Sequence, residues 1–96
     1  MSSPTTKAVA LTGSDQAVRA ATADYRGFAV RETAGSTAVI RIYDDPDSAN
    51  GTLLDTISLA ASESMAAYYS PGIAATTGIY VDIVSGTVEG SIRVGD

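Results

Sequence analysis

The stretch "TAVIRIYDDPDSANGTLLDTISLA", Thr37 to Ala60, decides the fold. In its first arm Ala38, Ile40 and Ile42 fall on one face, and Val39, Arg41 and Tyr43 on the other. Alternation with period two is the pattern of a strand with one buried face. The middle collects Asp44, Asp45, Pro46, Asp47 and Asn50-Gly51. Such residues turn a chain through side-chain-to-backbone bonds, a fixed φ and tolerance of positive φ. The second arm puts Leu53, Ile57 and Leu59 on one face with Asp55 among them. A carboxylate on an apolar face predicts a bulge at the start of that strand or an edge position. Two strands around an acidic turn read as a hairpin.

Clustered Asp and Asn oxygens are also what calcium requires. Counted from Asp45 in the register of a calcium-binding EF-hand loop, the sixth position is Asn50 rather than Gly and the twelfth is Thr56 rather than Glu. The turn is therefore the favoured reading, and no metal or cofactor is expected.

The same alternation extends in both directions. Residues 1–6 read as a flexible arm and 7–96 as one domain, with Lys7–Thr12 its first strand and Gly13-Ser14-Asp15 the following turn. Gln16–Asp24 mixes alanine-rich helical composition with alternation of Val18, Ala20 and Thr22, and an irregular strand is expected there. In Tyr25–Ala34, Phe28 and Val30 face away from Gly27 and Ala29, and Gly35-Ser36 turns the chain. Ala61–Ser70 is open to one helical turn or a strand, ended in either case by Pro71-Gly72. Thr77–Gly86 alternates Ile79, Val81 and Ile83 against Tyr80, Asp82 and Val84, and Thr87–Gly95 alternates Val88, Ile92 and Val94 against Glu89, Ser91 and Arg93. Ser85-Gly86 between them predicts a hairpin.

Seven or eight short strands in 96 residues bury their apolar faces by stacking two sheets or closing a barrel. The expected fold is all-β, an antiparallel β-sandwich; jelly-roll, β-tulip-like and immunoglobulin-like topologies remain open. The chain has no Cys and no Trp, so the pin residues of true immunoglobulin domains are missing. Ala, Gly, Ser and Thr make up 47 residues and aromatics only 6%. So lightly filled a core gains from association with other subunits.

Composition also excludes chemistry. Without His or Cys, the commonest general base, the thiol nucleophile and most zinc-ligand sets are gone. Glycines occur at turns or in strands, outside any phosphate-cradling context. The net charge of −5, with one lysine and five scattered arginines, argues against nucleic acid as a partner. No run approaches the length needed to cross a bilayer, so no membrane partner is expected. The chain is expected to be non-catalytic. Its candidate contact residues are the tandem Tyr68 and Tyr69, with Tyr43, Tyr80 and Arg26, because tyrosine and arginine concentrate at interfaces.

The segments "DYRGFAVRETAGSTAVIRIYDD", "GTLLDTISLAASES" and "GIYVDIVSGTVEGSIRV", spanning Asp24 to Val94, resemble small virion structural proteins of tailed phages, of the head-decoration type. That resemblance implies a sandwich or β-tulip-like fold, no catalysis, and many copies per particle. It further implies binding to the major capsid protein or another virion protein at the particle surface, after synthesis as a soluble chain in the host cytoplasm. A homo-oligomer follows from the same implication, with a trimer favoured because threefold lattice positions multiply weak contacts. The arm would then order on docking. A carbohydrate- or cell-surface-binding module of a tail or fibre, using the tyrosines, is the alternative.

Overall fold

A computed structural model describes residues 6–95 as eight strands in two four-stranded antiparallel sheets. The strands are β1 (Thr6–Ala10), β2 (Gln16–Arg19), β3 (Ala23–Glu32), β4 (Ala38–Asp44), β5 (Thr52–Leu59), β6 (Ser64–Ala75), β7 (Ile79–Ser85) and β8 (Val88–Gly95). Sheet A runs β1-β8-β3-β6 and sheet B runs β2-β7-β4-β5. The fold is an antiparallel β-sandwich. The expected arm at 1–6 lies outside the described residues except for Thr6, which opens β1.

Pairing follows one rule: β1 with β8, β2 with β7, β3 with β6 and β4 with β5. A ribbon of these nested pairs, rolled so that β8 meets β3 and β7 meets β4, closes the two sheets over one core. This eight-stranded rolled ribbon is the jelly-roll connectivity, one of the three topologies open from the sequence. As a result the chain changes sheet at every connection except β4 to β5. Among the described residues, the Thr37–Ala60 stretch is thus the one place where sequence neighbours pair as a hairpin, with Ala38 opposite Leu59 and Asp44 opposite Thr52.

Ser85-Gly86 behaves differently from the expected hairpin, since β7 lies in sheet B and β8 in sheet A. Gly86 takes φ +86°, and a Cβ there would meet the Ala38 Cβ at 2.5 Å and the Thr37 oxygen at 2.6 Å. The chain rounds a tight corner over the start of β4. A local turn signal marks a reversal but is indifferent to whether the next strand pairs beside the last or crosses to the other layer. The run expected as one irregular strand, Gln16–Asp24, is likewise split: β2 ends at Arg19 in sheet B and β3 begins at Ala23 in sheet A.

Pro71-Gly72 does not end β6, which continues to Ala75. The register passes from Gly27 opposite Tyr68 to Tyr25 opposite Ile73. Residues 69–72 therefore bulge against the single extra residue Arg26, with the Ser70-Pro71 peptide cis. β6 is an edge strand, where the missing N–H of proline removes no bond from a neighbour. Gly27 is required at this crossing, because a Cβ on its backbone would lie 2.0 Å from the Ala67 carbonyl oxygen. The Arg26 bulge also shifts the parity of β3, so that Tyr25 and Phe28, three apart, both point inward.

The inward faces carry the alternating residues: Phe28 and Val30; Ala38, Ile40 and Ile42; Ile57 and Leu59; Ile79 and Val81; Val88, Ile92 and Val94. Burying each large aliphatic side chain contributes about 1.5–3 kcal/mol. Leu53 departs from this scheme. Ile42 faces Asp55 while Tyr43 faces Leu53, so Leu54 is the extra residue of a bulge. Leu54 packs on the core and Leu53 is left 49% exposed, on the outer face. Both expectations for this segment, a bulge and an edge position, are met by β5. The two leucine-like positions consequently separate by stability. Ile40→Ala is expected to destabilise by about 2–5 kcal/mol, and Leu53→Ala by less than about 1 kcal/mol, read from urea unfolding midpoints.

Candidate functional site

The acidic stretch is the first place to look for chemistry, and its carboxylates are engaged within the fold. Asp44 Oδ1 accepts the Thr77 N–H at 2.9 Å, the Thr77 hydroxyl at 3.0 Å and the Gly78 N–H at 3.4 Å. Its Oδ2 accepts the Thr76 N–H at 3.0 Å and hydroxyl at 2.9 Å. The end of β4 is thereby tied to the crossing between β6 and β7. These donors, the Thr77 N–H first, hold Asp44 well below the usual carboxylate range. Asp45 closes the hairpin turn by accepting the Asp47 and Ser48 N–H groups at 3.0 and 2.9 Å. These bonds, the Asp47 N–H foremost, pull its carboxyl down as well. Among the described residues, no three His, Cys, Asp or Glu side chains are grouped to hold a metal ion.

Glu32, which the sequence reading passed over, is the fully buried acid. Its carboxylate accepts the N–H groups of Ala34, Gly35 and Ser36 at 2.7, 2.8 and 3.2 Å, and of Ser62 at 2.9 Å. One side chain thus joins the β3–β4 and β5–β6 crossings. The Ser62 N–H contributes most to holding its carboxyl below the usual carboxylate range, against the opposing effect of burial. The signal was present as "ETAGS", a Glu just before a Gly-Ser turn whose amides need acceptors.

Asp55 explains its own awkward position. From sheet B it accepts the Tyr25 and Tyr69 hydroxyls, both of sheet A and both at 2.8 Å, on Oδ2. The two rings lie 5.7 Å apart at 54°. Burial, then the bond to Asp55, raises both phenols, Tyr69 to about 12 and Tyr25 further beyond the ordinary tyrosine range. A polar bridge between the layers sits where alternation alone would place a hydrophobe.

The five candidate contact residues do not form one patch. Tyr43 and Tyr80 are direct neighbours across β4 and β7 on the outer face of sheet B. Ala17 stands beside Tyr80 and Leu53 beside Tyr43, completing a row over all four strands. Burial first, then the charges of Asp15, Asp82, Asp47 and Asp45, raises the Tyr80 phenol. Tyr68 lies on the outer face of sheet A, 59% exposed, with its hydroxyl 3.2 Å from the Thr6 hydroxyl on the opposite edge strand. Tyr69 turns inward to Asp55, because consecutive residues of a strand point to opposite faces. The tandem therefore offers no two-ring platform. Arg26 is buried: its guanidinium packs on Gly95, donates to the Thr6 hydroxyl at 3.0 Å and lies 3.6 Å from Asp24. It supports the bulge rather than an exposed contact.

Two open depressions mark the outer face of sheet A. One of about 460 Å³ lies between Arg31, Glu89, Ser64 and Ala66, and one of about 310 Å³ between Ala29, Tyr68 and Arg93. No family model, curated protein or solved structure matches the chain.

The carboxylate and phenol bonds set both limbs of the pH–stability curve. Asp44 and Glu32 are more acidic in the folded chain, so their stabilisation is present above the unfolded carboxylate range and is lost as pH falls below about 4. Asp44→Asn is expected to lower the thermal midpoint at about pH 7 and to flatten its decline between about pH 4 and 2. Tyr25 and Tyr69 are weaker acids when folded, so their contribution is complete below about pH 10 and fades as pH rises beyond it. Asp55→Ala is expected to destabilise by roughly 1–3 kcal/mol at neutral pH, chiefly by orphaning the buried Tyr25 hydroxyl. Tyr25→Phe is expected to flatten the alkaline decline, measured by thermal melting from about pH 8 to 12.

Proposed function

We propose that the chain is a non-catalytic virion structural protein, a capsid decoration protein that binds the assembled phage head lattice and stabilises it. The observation that carries the reading is the outer face of sheet B. There the row Ala17–Tyr80–Tyr43–Leu53 sets two half-buried phenol rings and a half-exposed leucine side by side on the outer face. An outward row of tyrosines on a sheet face suits protein contact more than enclosure of a small molecule. The carboxylates of Glu32, Asp44 and Asp45 support the same reading, because they are committed to backbone amides. A ligand that binds only the assembled shell stabilises it by mass action, even through modest individual contacts. The capsid's major protein is the proposed partner, at the particle surface.

The test is addition of purified chain to mature capsids lacking it, followed by sedimentation. Wild-type protein is expected to co-sediment at micromolar concentration and to delay thermal rupture of the shell. Tyr43→Ala/Tyr80→Ala is expected to weaken that binding by about tenfold or more, since central aromatic contacts are each worth about 1–2 kcal/mol or more. Absence of co-sedimentation by the wild type would overturn the decoration reading.

A further inference from the structure

The outer face of sheet A carries a second surface, independent of the reading above. Val88, Ile92 and Val94 point into the core, so Glu89, Ser91 and Arg93 of β8 point outward. Register places Ala10, Ala29 and Ala66 in line with Ser91, forming a low row across all four strands. On one side of this row stand Glu89 and, opposite it on β3, Arg31. On the other side stand Arg93 and, opposite it on β3, Gly27, which has no side chain. Arg93 is positioned by donating from Nε to the Ser91 hydroxyl at 3.1 Å. Ala10, Ala66, Arg31, Glu89 and Tyr68 are all exposed.

This layout is complementary to itself. Glu89 and Arg93 are equally spaced about Ser91 on β8, and Arg31 and Gly27 are equally spaced about Ala29 on β3. A twofold axis parallel to the low row, passing over Ser91 and Ala29, brings Glu89 of each copy to Arg93 of the other. The same rotation sets each Arg31 over the other copy's Gly27, across which the Tyr68 ring reaches toward Thr6 and offers its face to the guanidinium. Every charge on the face then has an opposite charge beside it, Glu89 lying between its own Arg31 and the other copy's Arg93. The alternative twofold, parallel to the strands, pairs Arg31 with Glu89 but leaves Arg93 over Gly27 with no carboxylate, a desolvation cost. We propose that sheet A packs face to face against sheet A of a second copy about the twofold across the strands, through reciprocal Glu89–Arg93 pairs.

Four strands spaced ~4.8 Å apart and about eight residues long give ~500 Å² per copy, or about 1,000 Å² in all. That is the lower limit for a specific interface, so the dimer is a weak one, dissociating at roughly 10–100 µM. Isologous packing of this kind closes after two copies and leaves the outer face of sheet B free.

Sedimentation equilibrium of the purified chain, from about 5 µM to about 1 mM, tests the proposal without capsids. The weight-average mass is expected to rise from 9.8 kDa toward twice that value. Glu89→Arg and Arg93→Glu, each alone, are expected to weaken the dimer by about tenfold or more, and Glu89→Arg/Arg93→Glu together to restore it to within about threefold. Ala29→Arg, which raises the low row on the axis, is expected to leave a monomer with an unchanged far-ultraviolet circular dichroism spectrum. A wild-type chain that stays monomeric throughout, or that forms a trimer, overturns the proposal. So does a dimer that Ala29→Arg and the single charge reversals leave intact, or one that the double exchange fails to restore. Loss of capsid binding in the preceding test, with the dimer intact, would sink the decoration reading alone.

Discussion

Backbone amides at the sheet-to-sheet crossings are the constraint on which this sandwich depends. A chain that changes layer at all but one of its connections leaves the ladder repeatedly, and each departure exposes N–H groups that need acceptors. Carboxylates meet that need. Glu32 serves two crossings at once, Glu63 accepts the Ala60 N–H at 2.7 Å, and Asp44 holds the β6–β7 corner, while Asp15 of the β1–β2 crossing accepts the Ile83 N–H from within β7 at 2.8 Å. The acidic character of the chain, with eleven acids against six bases, is thus in part architectural. Hydrogen bonds to charged acceptors are stronger than neutral ones, which suits a domain whose core holds one Phe and no Trp.

The Asp55 bridge belongs to the same economy of small cores. Where larger domains fill the gap between sheets with bulky hydrophobes, here a carboxylate from β5 meets two phenols from β3 and β6. The arrangement fixes the relative position of the two layers at their β5 and β6 edges. It also ties the Tyr69 hydroxyl inward and holds both phenols protonated to higher pH than an ordinary tyrosine. With these internal groups committed, what the molecule offers to others is its two outer sheet faces. One carries adjacent tyrosines and the other a low row flanked by charges, so the two faces suit different partners.

Parts of this arrangement were legible in the chain. The alternation in Thr37–Ala60 read directly as two strands and a turn, and the inward sets of β4, β7 and β8 followed from parity. The misplacement of Asp55 announced a bulge, although which leucine the bulge would expose depended on its register, and Leu53 rather than Leu54 turned outward. Tyr43 and Tyr80 were readable as outward residues, but their adjacency was not. They lie 37 positions apart, and only the pairing of β4 with β7 brings them together. Arg26 read as an exposed contact because nothing local shows that four residues of β6 bulge against it and close it over Gly95.

By itself the sequence determined that the chain is all-β, where most of its strands begin and turn, and which side of most strands is apolar. Those properties arise from steric preferences and a two-residue repeat that act within a few neighbours. Tertiary structure alone decided that Ser85-Gly86 is a corner between layers and not a hairpin, that β6 runs on through Pro71, and that Glu32, Asp44 and Asp55 take their partners from within the fold. Each of these depends on a partner dozens of residues away: β8 for β1, Thr77 for Asp44, Tyr25 for Asp55. Such choices among alternatives that are locally equivalent are settled by burying one shared core and satisfying every amide at once.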